Sequence, residues 1–130
     1  MNQDPYFLCV ATRHLLDMFN GYWHESEFRK ETASLHAHST DIFTAAVTFG
    51  ADITGYASRV FGAGPRKEYG RIAGELKDYP LVKDEAFVLW LRNEGENFPC
   101  LVRYFSLVEA ARHLTIQYIE EYLLTQKGMA

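Results

Sequence analysis

The densest run of chemically capable side chains lies at 20–28. Asn20, Gly21, Tyr22, Trp23, His24, Glu25, Ser26, Glu27 and Phe28 combine three aromatic rings, one imidazole and two carboxylates. An imidazole beside carboxylates could hold a metal or move a proton. A helical zinc site of the His-Glu-x-x-His kind needs two imidazoles four residues apart on one helix face. Here His24 and Glu25 are followed at position 28 by Phe28, so the second ligand is missing. His36, His38 and Asp41 form another cluster of ligand types, without the paired Cys/His spacing of structural zinc. A polar connector accounts for them. Ser26 follows His24 by two residues, which does not make a dyad, and no serine sits in a Gly-x-Ser-x-Gly turn. Cys9 and Cys100 lie among apolar neighbours and read as small buried hydrophobes rather than nucleophiles. No catalytic, metal-ligating or cofactor-binding residue is assigned, and the chain reads as a non-enzyme.

Recognition of nucleic acid is disfavoured on charge. Seventeen carboxylates face 13 Lys and Arg, a formal net charge of −4, whereas phosphate binding needs clustered cations. Arg112 and His113 are adjacent, as are Arg13 and His14, and adjacent helical residues project about 100° apart. Gly62, Ala63 and Gly64 lack the lysine spacing of a phosphate loop and read as a helix break. A protein partner with a basic surface is the better match, because complementary potentials steer encounter. Rigid rings rimmed by charge suit such an interface. Tyr22, Trp23 and Phe28 are expected to close the core after the first helix, with His24, Glu25 and Glu27 turned outward. Asp41, and Glu94 with Glu96 in an acidic loop over 93–97, complete the candidate partner-binding set.

The elements that position these residues read as helices. Asp4 and Pro5 form a helix start, and Gly21 a stop. Phe7, Val10, Ala11, His14, Leu15 and Met18 recur at helical spacing as the expected inner face, with His14 at its boundary. A short helical stretch follows from Ser26 to Ala33, then a connector through His36 and His38. Over 41–62 the apolar positions persist at helical period for five turns. Gly50 and Gly55 each oppose a helix by about 1 kcal/mol there, so a β-hairpin within 41–62 is the alternative. Pro65 can open the next helix, whose inner stripe is Tyr69, Ile72, Ala73 and Leu76, with Arg71 and Glu75 paired outside and Tyr79-Pro80 as its end. Phe87 to Leu91 is apolar on nearly all sides, the pattern of a helix buried in the middle of a domain. Cys100 to Phe105 forms a short apolar segment. Ser106 with Glu109 has the spacing of a capping box, opening a last helix that runs to about Thr125, with Leu107, Ala111, Leu114, Tyr118 and Tyr122 facing in and Gly128 just past its end. The tyrosines are expected to fill core positions with their hydroxyls in water. The prediction is all-α: one domain over 1–130, a bundle of five to six helices.

The Tyr22-Trp23-His24 run resembles bacterial immunity proteins of contact-dependent growth inhibition and polymorphic toxin systems. One such family follows a first helix with an aromatic-aromatic-His-polar-acidic stretch. Glu25 takes the place of Gln here, and Ser26 that of the acidic residue, with Glu27 one position late. Ile72 to Asp78, followed by Glu85 to Leu91, resembles the family's later Glu-Leu helix and apolar helix. The likeness spans roughly 6–92 and leaves 41–62 and the last helix unexplained. It implies a small cytoplasmic helical protein that neutralises a cognate toxin domain, expected to be a nuclease, by binding rather than catalysis. The alternatives are a small helical metal-binding protein or enzyme using His24, His36, His38 and nearby carboxylates, or a regulator that homodimerises through its last helix. The N-terminus lacks the pattern of a signal peptide, and no run reaches the length of a membrane span.

Overall fold

A computed structural model describes residues 5–62, 66–79 and 84–129, with side chains omitted at 5–7, 19 and 125–129. Six α-helices account for most of these residues: α1 Pro5–Gly21, α2 Ser26–His38, α3 Thr40–Phe61, α4 Tyr69–Lys77, α5 Glu85–Glu94 and α6 Pro99–Met129. Single 3-10 turns at Tyr22–His24, Arg66–Glu68 and Gly95–Asn97 join them. The chain is an all-α bundle, and the hairpin alternative over 41–62 is excluded by the continuous α3. No helix among the described residues is long and apolar enough to cross a membrane.

The long α6 is the axis, contacted by α1, α2, α3 and α4. Its buried residues, Leu101, Tyr104, Phe105, Val108, Ala111, Arg112, Thr115, Ile116 and Ile119, follow the helical repeat along one face, and the apolar ones join one cluster. α3 contributes Phe49, Ile53, Ala57 and Val60; α4 contributes Tyr69, Ile72 and Leu76; α2 contributes Phe28 and Leu35. Gly50 is where α3 passes α6: a Cβ there would stand 1.9 Å from the Tyr104 hydroxyl. The glycine that weakens the helix locally is thus what lets Tyr104 pack against its backbone.

Several expectations about elements are corrected. His36 and His38 belong to the last turn of α2, and only Ser39 separates α2 from α3. His36 packs edge-on against Phe43 at 4.9 Å, and His38 Nδ1 lies 2.8 Å from the Ser34 carbonyl. Ser106 caps nothing: α6 is continuous from Pro99 through Gly128 to Met129, and the Ser106 hydroxyl donates to the Val102 carbonyl at 3.0 Å. Residues 93–97 are the end of α5 and a 3-10 turn rather than a loop. The inner face of α1 is Leu8, Thr12, Leu15 and Leu16, while Val10, His14 and Met18 are exposed. Within α5 only Phe87 is buried, so this helix lies at the periphery and not in the middle of the domain. Cys9 and Cys100 are half-buried and unpaired. The expected Asp4 cap and the Pro65 and Pro80 positions lie outside the described residues.

Candidate functional site

One side of the outer face of α3 carries Asp41, Thr44, Thr48 and Asp52, a polar stripe with helical spacing away from the buried Phe49–Ile53 face. α4 ends at Lys77, and the chain then brings Tyr79 back against this stripe. The Tyr79 ring is buried and tilts on Phe49 at 5.2 Å, and its hydroxyl donates to Asp52 Oδ2 at 2.6 Å. Burial, then the Asp52 hydrogen bond, raises the phenol far above its ordinary range, so it stays a donor. Asp84 closes the far end while its side chain accepts from the Ala86 and Phe87 amides as the α5 N-cap. The result is an open groove of about 460 Å³ lined by Asp41, Thr44, Ala45, Thr48, Asp52, Tyr79 and Asp84.

The groove continues past Asp52 and Tyr79 onto Tyr56, Arg71, Glu75 and Asp78. Here the charges are locked in a chain. Arg59 donates to Glu68 at 2.7 Å, and Arg71 donates to Glu68 and to Glu75, each at 2.8 Å. Tyr56 donates to the other Glu75 oxygen at 2.8 Å. Hydrogen bonds from Arg71 and then Arg59 hold the Glu68 carboxyl below the usual range. Those from Tyr56 and then Arg71 do the same for Glu75. Both arginines are already bonded to carboxylates, so they do little to offset Asp41, Asp52 and Asp84 along the rest of the groove. Such a surface can accept hydrogen bonds from guanidinium or ammonium groups.

The sequence-predicted residues separate into three places. Asp41 alone enters this groove. His24, Glu25 and Glu27 are exposed at the α1–α2 junction, where Glu27 pairs with Lys30 at 3.4 Å. Glu94 lines a different groove with Ser34, His38, Trp90 and Phe98, and accepts from Asn97 at 3.2 Å. Glu96 is exposed on the adjoining turn. The aromatics of the first segment do turn inward: Trp23 packs edge-on against Phe28 at 5.0 Å and Tyr104 at 5.8 Å. Among the described residues, no group of three or more His, Cys, Asp or Glu is placed to hold a metal ion.

The chain matches no family model, no curated protein and no solved structure. Its residues must therefore carry the functional reading alone. Sequence reasoning missed Asp52, Tyr56, Tyr79 and Asp84. The 41, 44, 48, 52 polar stripe was the available signal for half of the groove; Tyr79 and Asp84 reach it only through tertiary packing.

Two further polar sites were missed, and both hold the bundle together. The Glu31 carboxylate on α2 accepts from the Cys100 and Leu101 amides at 3.1 and 3.0 Å, capping α6 from another helix. A hydrogen bond with Glu31, then burial, pushes the Cys100 thiol up to about 11, so a cysteine at a helix N-terminus is kept unreactive. Arg112, only 6% exposed, donates to the Leu76 carbonyl at 2.6 Å and to Glu109. It caps the end of α4 from the middle of α6.

Proposed function

We propose that this chain is a cytoplasmic immunity protein that neutralises a cognate toxin domain by binding a basic surface on it. The observation that carries this reading is the acidic groove along α3. Asp41, Asp52 and Asp84 line it with the rigidly held Tyr79, while the neighbouring cations Arg59 and Arg71 are bound by Glu68 and Glu75. A nuclease toxin is cationic where it holds phosphate, and an acidic, aromatic-flanked groove complements that surface. The resemblance of Tyr22-Trp23-His24 to immunity proteins supports the same class of activity. In this reading the groove is the main contact. His24, Glu25 and Glu27, and Glu94 with Glu96, are secondary contacts on other faces.

The test is co-expression with the toxin domain encoded immediately upstream. Growth should be rescued by the wild-type chain and not by Asp41→Lys/Asp52→Lys, with helical content unchanged by circular dichroism. Direct binding should weaken steeply with salt. Failure of the wild-type chain to rescue growth would remove the immunity reading. Rescue by the charge-reversed variant would remove the groove.

A further inference from the structure

The outer face of α5 is self-complementary, and we infer that it pairs with the same face of a second copy of this chain. α5 turns Phe87 inward against Phe105 at 4.8 Å, with Trp90 beside it. The opposite side carries Glu85, Val88, Leu89 and Arg92, all exposed, with Val88 at 41% and Leu89 at 54%. At about 100° per residue these four fall within an arc of roughly 100°. They form one stripe with an apolar centre and one charge of each sign at its ends.

The order of that stripe is what selects the occupant. Glu-x-x-Val-Leu-x-x-Arg is symmetric about the midpoint between Val88 and Leu89 in spacing, and antisymmetric in charge. A two-fold axis through that midpoint lays two α5 helices antiparallel. Val88 then meets the partner's Leu89, Leu89 meets the partner's Val88, and each Glu85 meets the partner's Arg92. This is the isologous arrangement that closed dimers require. The antiparallel setting also places each helix N-terminus beside the other's C-terminus, which favours both dipoles. Neither Glu85 nor Arg92 has an ion-pair partner among the described residues. A basic or acidic foreign partner would satisfy one end of the stripe and oppose the other; a second copy satisfies both.

The contact is a single pair of helices about 15 Å long, at the small end of specific interfaces. The dimer is therefore reversible and concentration-dependent. None of its four residues lines the acidic groove, although Asp84, the N-cap of α5, ends that groove beside Glu85.

Sedimentation equilibrium on the full chain, up to about 1 mM, tests the pairing. A monomer–dimer equilibrium is expected. Glu85→Arg alone and Arg92→Glu alone each turn both ion pairs into like-charge pairs. Each should weaken association by at least about tenfold. Mixing the two variants restores Arg–Glu contacts at both ends and should recover wild-type affinity, which a folding defect in either variant could not do. Leu89→Glu should leave a monomer. A wild-type chain monomeric throughout the range would overturn the inference. So would a dimer indifferent to the two single substitutions, or one that mixing does not restore.

Discussion

Gly50 and Gly55 lie five residues apart in the same helix, and substituting each by alanine should move stability in opposite directions. Helix propensity alone favours alanine over glycine by about 0.8–1.0 kcal/mol at either position. At Gly55 nothing lies within 4 Å of the new Cβ, so Gly55→Ala should realise most of that gain. At Gly50 the Cβ would meet the Tyr104 hydroxyl at 1.9 Å and its ring carbon Cζ at 2.9 Å. Tyr104 is buried, and its ring is wedged between Phe28 at 5.3 Å, Trp23 at 5.8 Å and Phe105 at 6.1 Å. It cannot swing aside without disturbing three other rings. Overpacking of that kind costs about 1–3 kcal/mol, and the clash at two atoms puts it at the upper end. Net destabilisation by Gly50→Ala should be about 1–2 kcal/mol. Urea unfolding should give a lower midpoint with an unchanged slope, and the melting temperature should fall by about 3–8 °C. Gly55→Ala should raise it by about 2–4 °C. Combining Gly50→Ala with Tyr104→Phe removes the nearer contact, so the double variant should show favourable coupling of at least about 0.5 kcal/mol. A Gly50→Ala protein as stable as wild type, or more so, would refute the claim that close passage of Tyr104 explains this glycine.

Three other outcomes follow from the polar contacts. Glu31→Ala should cost about 1–2 kcal/mol, since it leaves two α6 amides uncapped. It should also speed alkylation of Cys100 near pH 8.5, because the α6 N-terminus would then stabilise the thiolate; a rate equal to wild type would contradict the assigned cause of the raised thiol. Arg112→Leu should cost about 2–4 kcal/mol by stranding the Leu76 carbonyl and Glu109, measurable by denaturant unfolding, whereas loss of less than about 0.5 kcal/mol would show the cap to be dispensable. The pH dependence should have two edges. Tyr79 and Tyr104 have folded-state pKa values raised above the unfolded value of about 10, mainly by burial, with Tyr104 pushed up to about 12. Their contribution is complete below pH 10 and is lost as pH rises above it. Glu68 and Glu75 are held below their ordinary range by hydrogen bonds, so their contribution is present above about pH 4.5 and is lost as pH falls through their folded values. Thermal melts from pH 3 to 11 should fall at both ends, and Tyr79→Phe should flatten the alkaline edge.

Periodicity revealed that these segments are helices more surely than which way each one faces. In α3 the two agreed, because polar Asp41, Thr44, Thr48 and Asp52 lie away from apolar Phe49, Ile53 and Val60. In α1 they agreed only in part: Leu15 of the expected stripe packs inward, but Val10 and Met18 are left exposed, and Leu8 and Leu16 supply the rest of the face that the fold uses. The break expected before Ser106 arose from a similar ambiguity. Ser106 with Glu109 has capping-box spacing, but a hydroxyl in a continuing helix can instead bond the carbonyl four residues back. Ser106 does this with Val102, while Glu109 turns toward Arg112. The true cap, Glu31, is 69 residues away from the amide it serves and leaves no local trace.

α5 is the case where the misreading has the largest consequence. Val88 and Leu89 made Phe87 to Leu91 look apolar all round, and such a helix ordinarily belongs in the middle of a domain. The bundle had no layer left to cover it, since α6 is already surrounded by α1, α2, α3 and α4. The charges decide how the leftover face is read. Glu85 in the first turn and Arg92 in the last complement the dipole of α5 itself, but that role does not require them to flank Val88 and Leu89 on one side. A helix that meets its own copy across a two-fold axis needs them there. The hydrophobicity of α5 was legible in the sequence, but the sequence alone could not say whether the second apolar side was covered from within the chain or from a second molecule.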